Sequence, residues 1–324
     1  MPRKMIIDTD TASDDAVAIV MALQHPDIDV LALTAVSGNV SLEQASLNAR
    51  YTVQMCGKDT PVYDGAAAPL LREVAHAHFF HGQDGMGNMH YPAPKAAPAP
   101  GHAVDALVET IKANPGIILV TLGPMTNVAL ALAKAPEIAG MVSRCVVMGG
   151  AACVVGNVTR AAEFNIWCDR EAARMCFRSG LPIEMVGWEH CRGAACLLPG
   201  EIQHCKETIG TPLAHFAIDC NASAIAAGNA LFGEPGLALP DPVTMAVAID
   251  PSIATRASKH YVDVECEGLY TRGMTVVDQL NVVAGLQGHN PIWQPLTQRG
   301  EPNASVVWEI DVARWKNLLF ELLG

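Results

Sequence analysis

The sequence predicts an α/β fold, with a mainly parallel central sheet, flanking helices and a small β-hairpin decoration. Three observations carry this. Short apolar runs alternate with helical stretches, the pattern of right-handed βαβ crossovers. Acids, asparagines and glycine turns cluster just after the apolar runs, where a parallel sheet binds its ligands. The 324 residues, 50% hydrophobic and 17% charged, suffice for one large core, so a single domain over 1–324 is expected.

Taken in order, Met5, Ile6 and Ile7 mark a buried strand at 4–8. Ser13 reads as the N-cap of a helix at 14–24, with Asp14 and Asp15 in the first turn, where the helix dipole favours negative charge. A strand at 30–36 runs into Val36-Ser37-Gly38-Asn39 and a helix at 41–56. Tyr91 to Gly101 is too rich in proline for a helix or central strand and reads as a surface connection. Strands at 117–122, 144–148 and 183–187 alternate with helices at 125–134, 169–179 and 211–228. Gly233 to Pro242 reads as a second loop. Tyr261–Val264 and Val306–Ile310 suggest the hairpin, before a final helix at Val312–Leu323.

A net charge of −12 argues against nucleic acid and anionic membranes, both of which need basic patches. The ten cysteines are scattered, with no C-x-x-C pair to suggest a zinc site or a disulfide framework. Cys176, in a helical stretch, reads as a small buried hydrophobe. This usage suits a reducing cytoplasm, and no signal-peptide pattern or membrane-length apolar run is present.

Asp8, Asp10, Asp14 and Asp15 are four acids within one strand exit and helix start. They repel one another unless a cation joins them, and a hard divalent ion takes oxygen ligands. Capping alone would account for one or two of them but needs no second pair. An EF-hand loop fails, because Ser13 and Ile19 stand where Gly and Glu are required. An Asp-x-Asp-x-Thr phosphatase motif, with Asp8 as nucleophile and magnesium as its ion, fits only partly: the Thr comes one residue early.

The spacing Asp8, Asp10, Asp14, Asp15, Ala16 resembles the opening D-x-D-x-x-x-D-D-A signature of the nucleoside hydrolase (inosine-uridine-preferring N-ribohydrolase) family. Further similar segments follow in order: Val36–Asn39, His81–Gly87, Thr121–Asn127, Val147–Gly150, Gly156-Asn157, Ala162–Asn165, Pro240–Pro242 and Thr271–Thr275. The resemblance implies a Rossmann-like nucleoside hydrolase fold and hydrolysis of ribonucleosides to free base and ribose. It implies Ca2+ held by Asp10, Asp15, Asp241 and the backbone carbonyl of Leu122, with Asp10 also the general base. It places Asp14, Asn39, Met148, Asn157, Glu163 and Asn165 on the ribose. Asp8, two residues before Asp10 on a strand, faces the same side and reads as orienting the ligands. A homodimer or homotetramer is implied by resemblance alone.

The sequence departs from that family at one point. Nonspecific members carry a His immediately before the last metal-binding Asp, where it protonates the leaving base, and another subclass stacks a Trp there. Pro240 can do neither. His81, His190 and Glu189 are the candidates to replace the acid, Trp188 is a candidate to stack on the base, and protonation from solvent is the alternative. A ribose-binding relative without turnover stands as the competing reading, and base preference is left open.

Overall fold

The computed structural model describes residues 2–233, 236–281 and 301–324. Residues 234 and 235 of the expected second loop lie outside them. Eight strands form the main sheet: β1 Arg3–Thr9, β2 Ile28–Ala35, β3 Val62–Asp64, β4 Ile117–Thr121, β5 Val142–Met148, β6 Ile183–Val186, β7 Ala254–His260 and β10 Ala304–Ile310. Their order is β3-β2-β1-β4-β5-β6-β10-β7. Every pairing is parallel except that of β10 with β7, which is antiparallel and closes one edge.

Alternation along β1 explains the layers. Met5 and Ile7 join one apolar cluster and Ile6 the other, as side chains of a strand must. The first cluster packs under helices Ser13–Gln24, Leu42–Met55, Pro212–Asp219, Pro240–Ile249 and Val312–Leu323. The second lies under Ala103–Ala113, Thr126–Lys134 and Arg170–Phe177. Helix Ser13–Gln24 is buried from Ser13 to Leu23, because Pro240–Ile249 and Val312–Leu323 both pack on it. No helix among the described residues is long and apolar enough to cross a membrane.

Several expectations need correction. Val306–Ile310 does not form the hairpin: β10 enters the main sheet parallel to β6. The hairpin instead pairs β8, Val262–Val264, with β9, Thr275–Val277. The helix expected at 211–228 is two helices, Pro212–Asp219 and Ala222–Phe232, interrupted at Cys220 and Asn221. There the Asn221 side chain donates to the carbonyls of Ser13 and Ala217. Ala12, not Ser13, occupies the N-cap of the first helix, and the Asp15 carboxylate accepts the Ala12 N–H. Pro240 begins the helix that carries Asp241. All ten cysteines are free thiols, and Cys176 is fully buried.

Candidate active site

The carboxyl ends of β1, β2, β4 and β5 converge on one cavity of about 380 Å³. Asp14, Asn39, Leu122, Met148, Asn157, Glu163, Asn165 and Asp241 all line it. The parallel topology thus gathers residues separated by more than 200 positions, as expected at the carboxyl edge of such a sheet.

Its floor is acidic. Asp14, Asp15 and Asp241 each place a carboxylate oxygen within 4.8 Å of the others. Asp14 and Asp15 open helix Ser13–Gln24 and Asp241 opens Pro240–Ile249, so two helix N-termini face the cluster. Thr9 Oγ1 donates to Asp15 Oδ1 at 2.6 Å and Ala12 N–H to Oδ2 at 2.9 Å. Asp10 lies beside this set. Its Oδ2 accepts the Asn39 N–H at 2.5 Å, while its Oδ1 is buried without a partner, as is Asp14 Oδ1. A Cβ at Gly38 would overlap Asp10 Oδ2, and one at Gly123 would come within 2.7 Å of Oδ1. Both glycines therefore leave room for the Asp10 carboxylate.

Burial drives the electrostatics. Desolvation lifts Asp14 and Asp15 to about 6, with Asp14 adding to the rise at Asp15. Asp10 is raised by burial and then by the neighbouring charges of Asp15 and Asp14. Asp241 is raised by burial and by Asp15, Asp14 and Asp10. Four mutually repelling acids, two of them with an unpartnered oxygen, form a hard, all-oxygen donor set that fits a divalent cation. The Leu122 carbonyl, expected in that set, accepts Asn165 Nδ2 at 2.6 Å and has a second lone pair free to accept.

Asp8 lies behind these acids. It does not line the cavity, and its Oδ2 accepts Thr34 Oγ1 at 2.6 Å and Asn127 Nδ2 at 2.9 Å. Burial pushes it up to about 7. Asn127 in turn accepts the Ala66 N–H and donates to the Ala35 carbonyl, so Asp8 ties β1 to β2 beneath the site.

Glu163 caps helix Phe164–Cys168, accepting N–H groups from Gly150, Asn165 and Ile166, and burial lifts it to about 7. Asn157 Oδ1 accepts the Phe164 N–H, which leaves its amide nitrogen for a ligand. Asn165 Nδ2 also reaches Met148 Sδ at 3.2 Å.

The candidates for the base end separate. His81 lines the cavity; Ser13 Oγ meets its Nδ1 at 2.9 Å, and burial lowers its pKa to about 4. Trp188 lines it too, with Nε1–H donated to the Val155 carbonyl at 2.8 Å. His190 does not: its Nε2 meets the Val307 carbonyl on β10 at 2.9 Å, because the helical turn Trp188–Cys191 points it into the sheet. Glu189 is also off the wall, receiving the Ala152 N–H, and burial pushes it up to about 7. Sequence reasoning missed Phe79, Phe80, Leu231 and Arg192 on the wall. Only Arg192 had a usable signal, its place just past the carboxyl end of β6.

The profile of the inosine-uridine preferring nucleoside hydrolase family matches residues 5–317. A pyrimidine-specific ribonucleoside hydrolase of Klebsiella pneumoniae is 34% identical over 100% of this chain and 99% of its own. Its Salmonella typhimurium counterpart is 35% identical with the same coverage. Among solved structures, a plant nucleoside hydrolase superposes with TM-score 0.90 at 32% identity, covering 100% of this chain and 99% of that one. A purine-preferring ribonucleoside hydrolase from Gardnerella vaginalis gives 0.87 at 30%, covering 99% and 98%. With sequence and fold matched from end to end, the chain belongs to the inosine-uridine preferring nucleoside hydrolase family, whose enzymes split nucleosides into base and ribose.

Proposed function

We propose that the chain is a calcium-dependent ribonucleoside hydrolase that uses Asp10 as general base. The observation that carries this reading is the buried floor, where Asp10 and Asp14 keep unpartnered oxygens beside Asp15 and Asp241. Asp10, Asp15, Asp241 and the Leu122 carbonyl would hold the ion, with Asp14 close enough to join them or to meet a ribose hydroxyl. Bound there, calcium would offset the repulsion among the acids, position water and sugar hydroxyls together, and make that water more acidic.

The chain's own groups do the rest. Asp10, fixed by the Asn39 N–H, accepts a proton from water as the oxygen adds to C1′. The C1′–N bond breaks with its electron pair leaving on the base. Glu163, Asn165 and Asn157, their side chains oriented by backbone contacts, hold the sugar together with Asn39. Met148 packs under it. A phosphohydrolase using Asp8 is disfavoured, because Asp8 sits off the cavity and is engaged by Thr34 and Asn127.

Base release from uridine, cytidine, inosine, adenosine and guanosine tests the reading, with and without chelator, for wild type and Asp10→Ala. Uridine and cytidine come first, since the bacterial relatives are named pyrimidine-specific. Chelator-sensitive release lost in Asp10→Ala supports it. Ribose binding without release would favour a non-catalytic relative. A homodimer or homotetramer is the proposed assembly, to be checked by light scattering, and the cytoplasm the proposed location.

A further inference from the structure

Breaking an N-glycosidic bond leaves an electron pair on a heterocycle, and that charge must be met. Pro240 begins its helix at the cavity wall and offers no donor. Among the described residues lining the cavity, His81 and Arg192 are the only basic side chains. Ser13 Oγ engages His81 Nδ1 beside the acidic floor, so that ring is already tied there. Arg192 carries a permanent charge. Its guanidinium carbon lies 4.7 Å from the centroid of the Trp188 ring, and that ring is pinned by the Val155 carbonyl. The remaining wall is apolar, with Phe79, Phe80 and Leu231.

We propose that Arg192, carried on the Trp188 ring, stabilises the departing base as an anion and favours bases with a carbonyl beside the glycosidic nitrogen, such as uracil. This deepens the hydrolase reading above and rests on it. A guanidinium presents several N–H donors in one plane and suits a delocalised oxyanion. In the step, the C1′–N pair passes to the ring nitrogen and spreads onto the adjacent carbonyl oxygen, where Arg192 donates. Water supplies hydroxide to C1′ and its proton goes to Asp10. The base anion takes its proton from solvent after departure, so base and ribose are the only products.

The test is kcat/KM on uridine and on 4-nitrophenyl β-D-riboside, whose leaving group is a stable anion without help. In Arg192→Met the uridine to 4-nitrophenyl riboside ratio should fall by roughly a hundredfold. Arg192→Lys, which keeps the charge, should recover about tenfold of that loss. Arg192→Gln serves the same comparison if the Met variant does not fold. A ratio that moves by less than about threefold overturns the proposal, as does a Lys variant no better than Met. A loss confined to uridine 5′-monophosphate would also overturn it, by assigning the cation to a phosphate. Wild type that turns over neither substrate defeats the hydrolase reading along with it. Wild type that turns over both, with the ratio unmoved in the variants, defeats Arg192 alone.

Discussion

The acidic floor of the cavity and its apolar wall differ in how their side chains are held. Floor residues leave strand ends or open helices, and backbone N–H groups fix Asp10, Asp15 and Glu163. Wall residues sit on later or shorter elements: Phe79 on the one-turn helix His78–His81 and Leu231 on Ala222–Phe232, respectively 69% and 57% exposed. The floor is a rigid constellation suited to the ribose that all ribonucleosides share. The wall is the more exposed part, and the proposed function would put base choice there.

The sharpest way to break this contrast is on the floor. Asp10→Asn and Asp241→Asn should each lower kcat/KM about a thousandfold with the fold retained by circular dichroism. Near-normal turnover in Asp241→Asn would remove the floor from the reaction. Gly38→Ala pushes on Asp10 without altering any acid, so kcat should drop roughly a hundredfold with little change in KM. A change in KM alone would mean that Asp10 is not held tightly.

Asn127→Ala probes the support beneath the floor. It strips a donor from buried Asp8 and an acceptor from the Ala66 N–H, and should cost about 2–3 kcal/mol in denaturant unfolding. A cost well below that would show the network relaxing around the loss.

The raised acids set a pH dependence. Asp8 and Glu163 sit near 7, and Asp14 and Asp15 near 6, against ordinary values of 3.8 and 4.5. A raised folded pKa stabilises the fold below the unfolded value and loses that stability as pH climbs through the folded one. Chelated protein should therefore melt roughly 5 °C lower at pH 8 than at pH 5, with calcium restoring more at pH 8 than at pH 5. Equal restoration at both would argue against an ion bound by these carboxylates. Smallest of all is the wall: Phe79→Ala should raise KM for nucleosides about threefold with kcat nearly constant, and a kcat loss instead would place Phe79 among the floor's partners.

Much of the floor was legible in the sequence, because a βα junction prints its ligands consecutively. Asp8 to Asp15 and Val36 to Asn39 follow apolar runs, and the crossover rule brings those runs side by side. The partners of Asp8 were not legible, because strand periodicity gives the side a carboxylate faces, not the partner it finds; Thr34 and Asn127 hold it. His190 failed for a related reason: a single helical turn decides its direction, and no periodicity exists over four residues. β10 was read as decoration because nothing local distinguishes an edge hairpin from a strand inserted between β6 and β7. The wall was least legible, since exposed aromatic and aliphatic residues carry no spacing signal.

Helix Ser13–Gln24 is sheathed by Pro240–Ile249 and Val312–Leu323, elements more than 200 residues further along the chain. Until those elements are made, the apolar Ala16–Leu23 stretch lacks two of the partners that bury it. The acidic floor needs Asp241 beside Asp14 and Asp15, so it forms only through this long-range contact, the kind that closes slowly and leaves apolar surface open in the meantime.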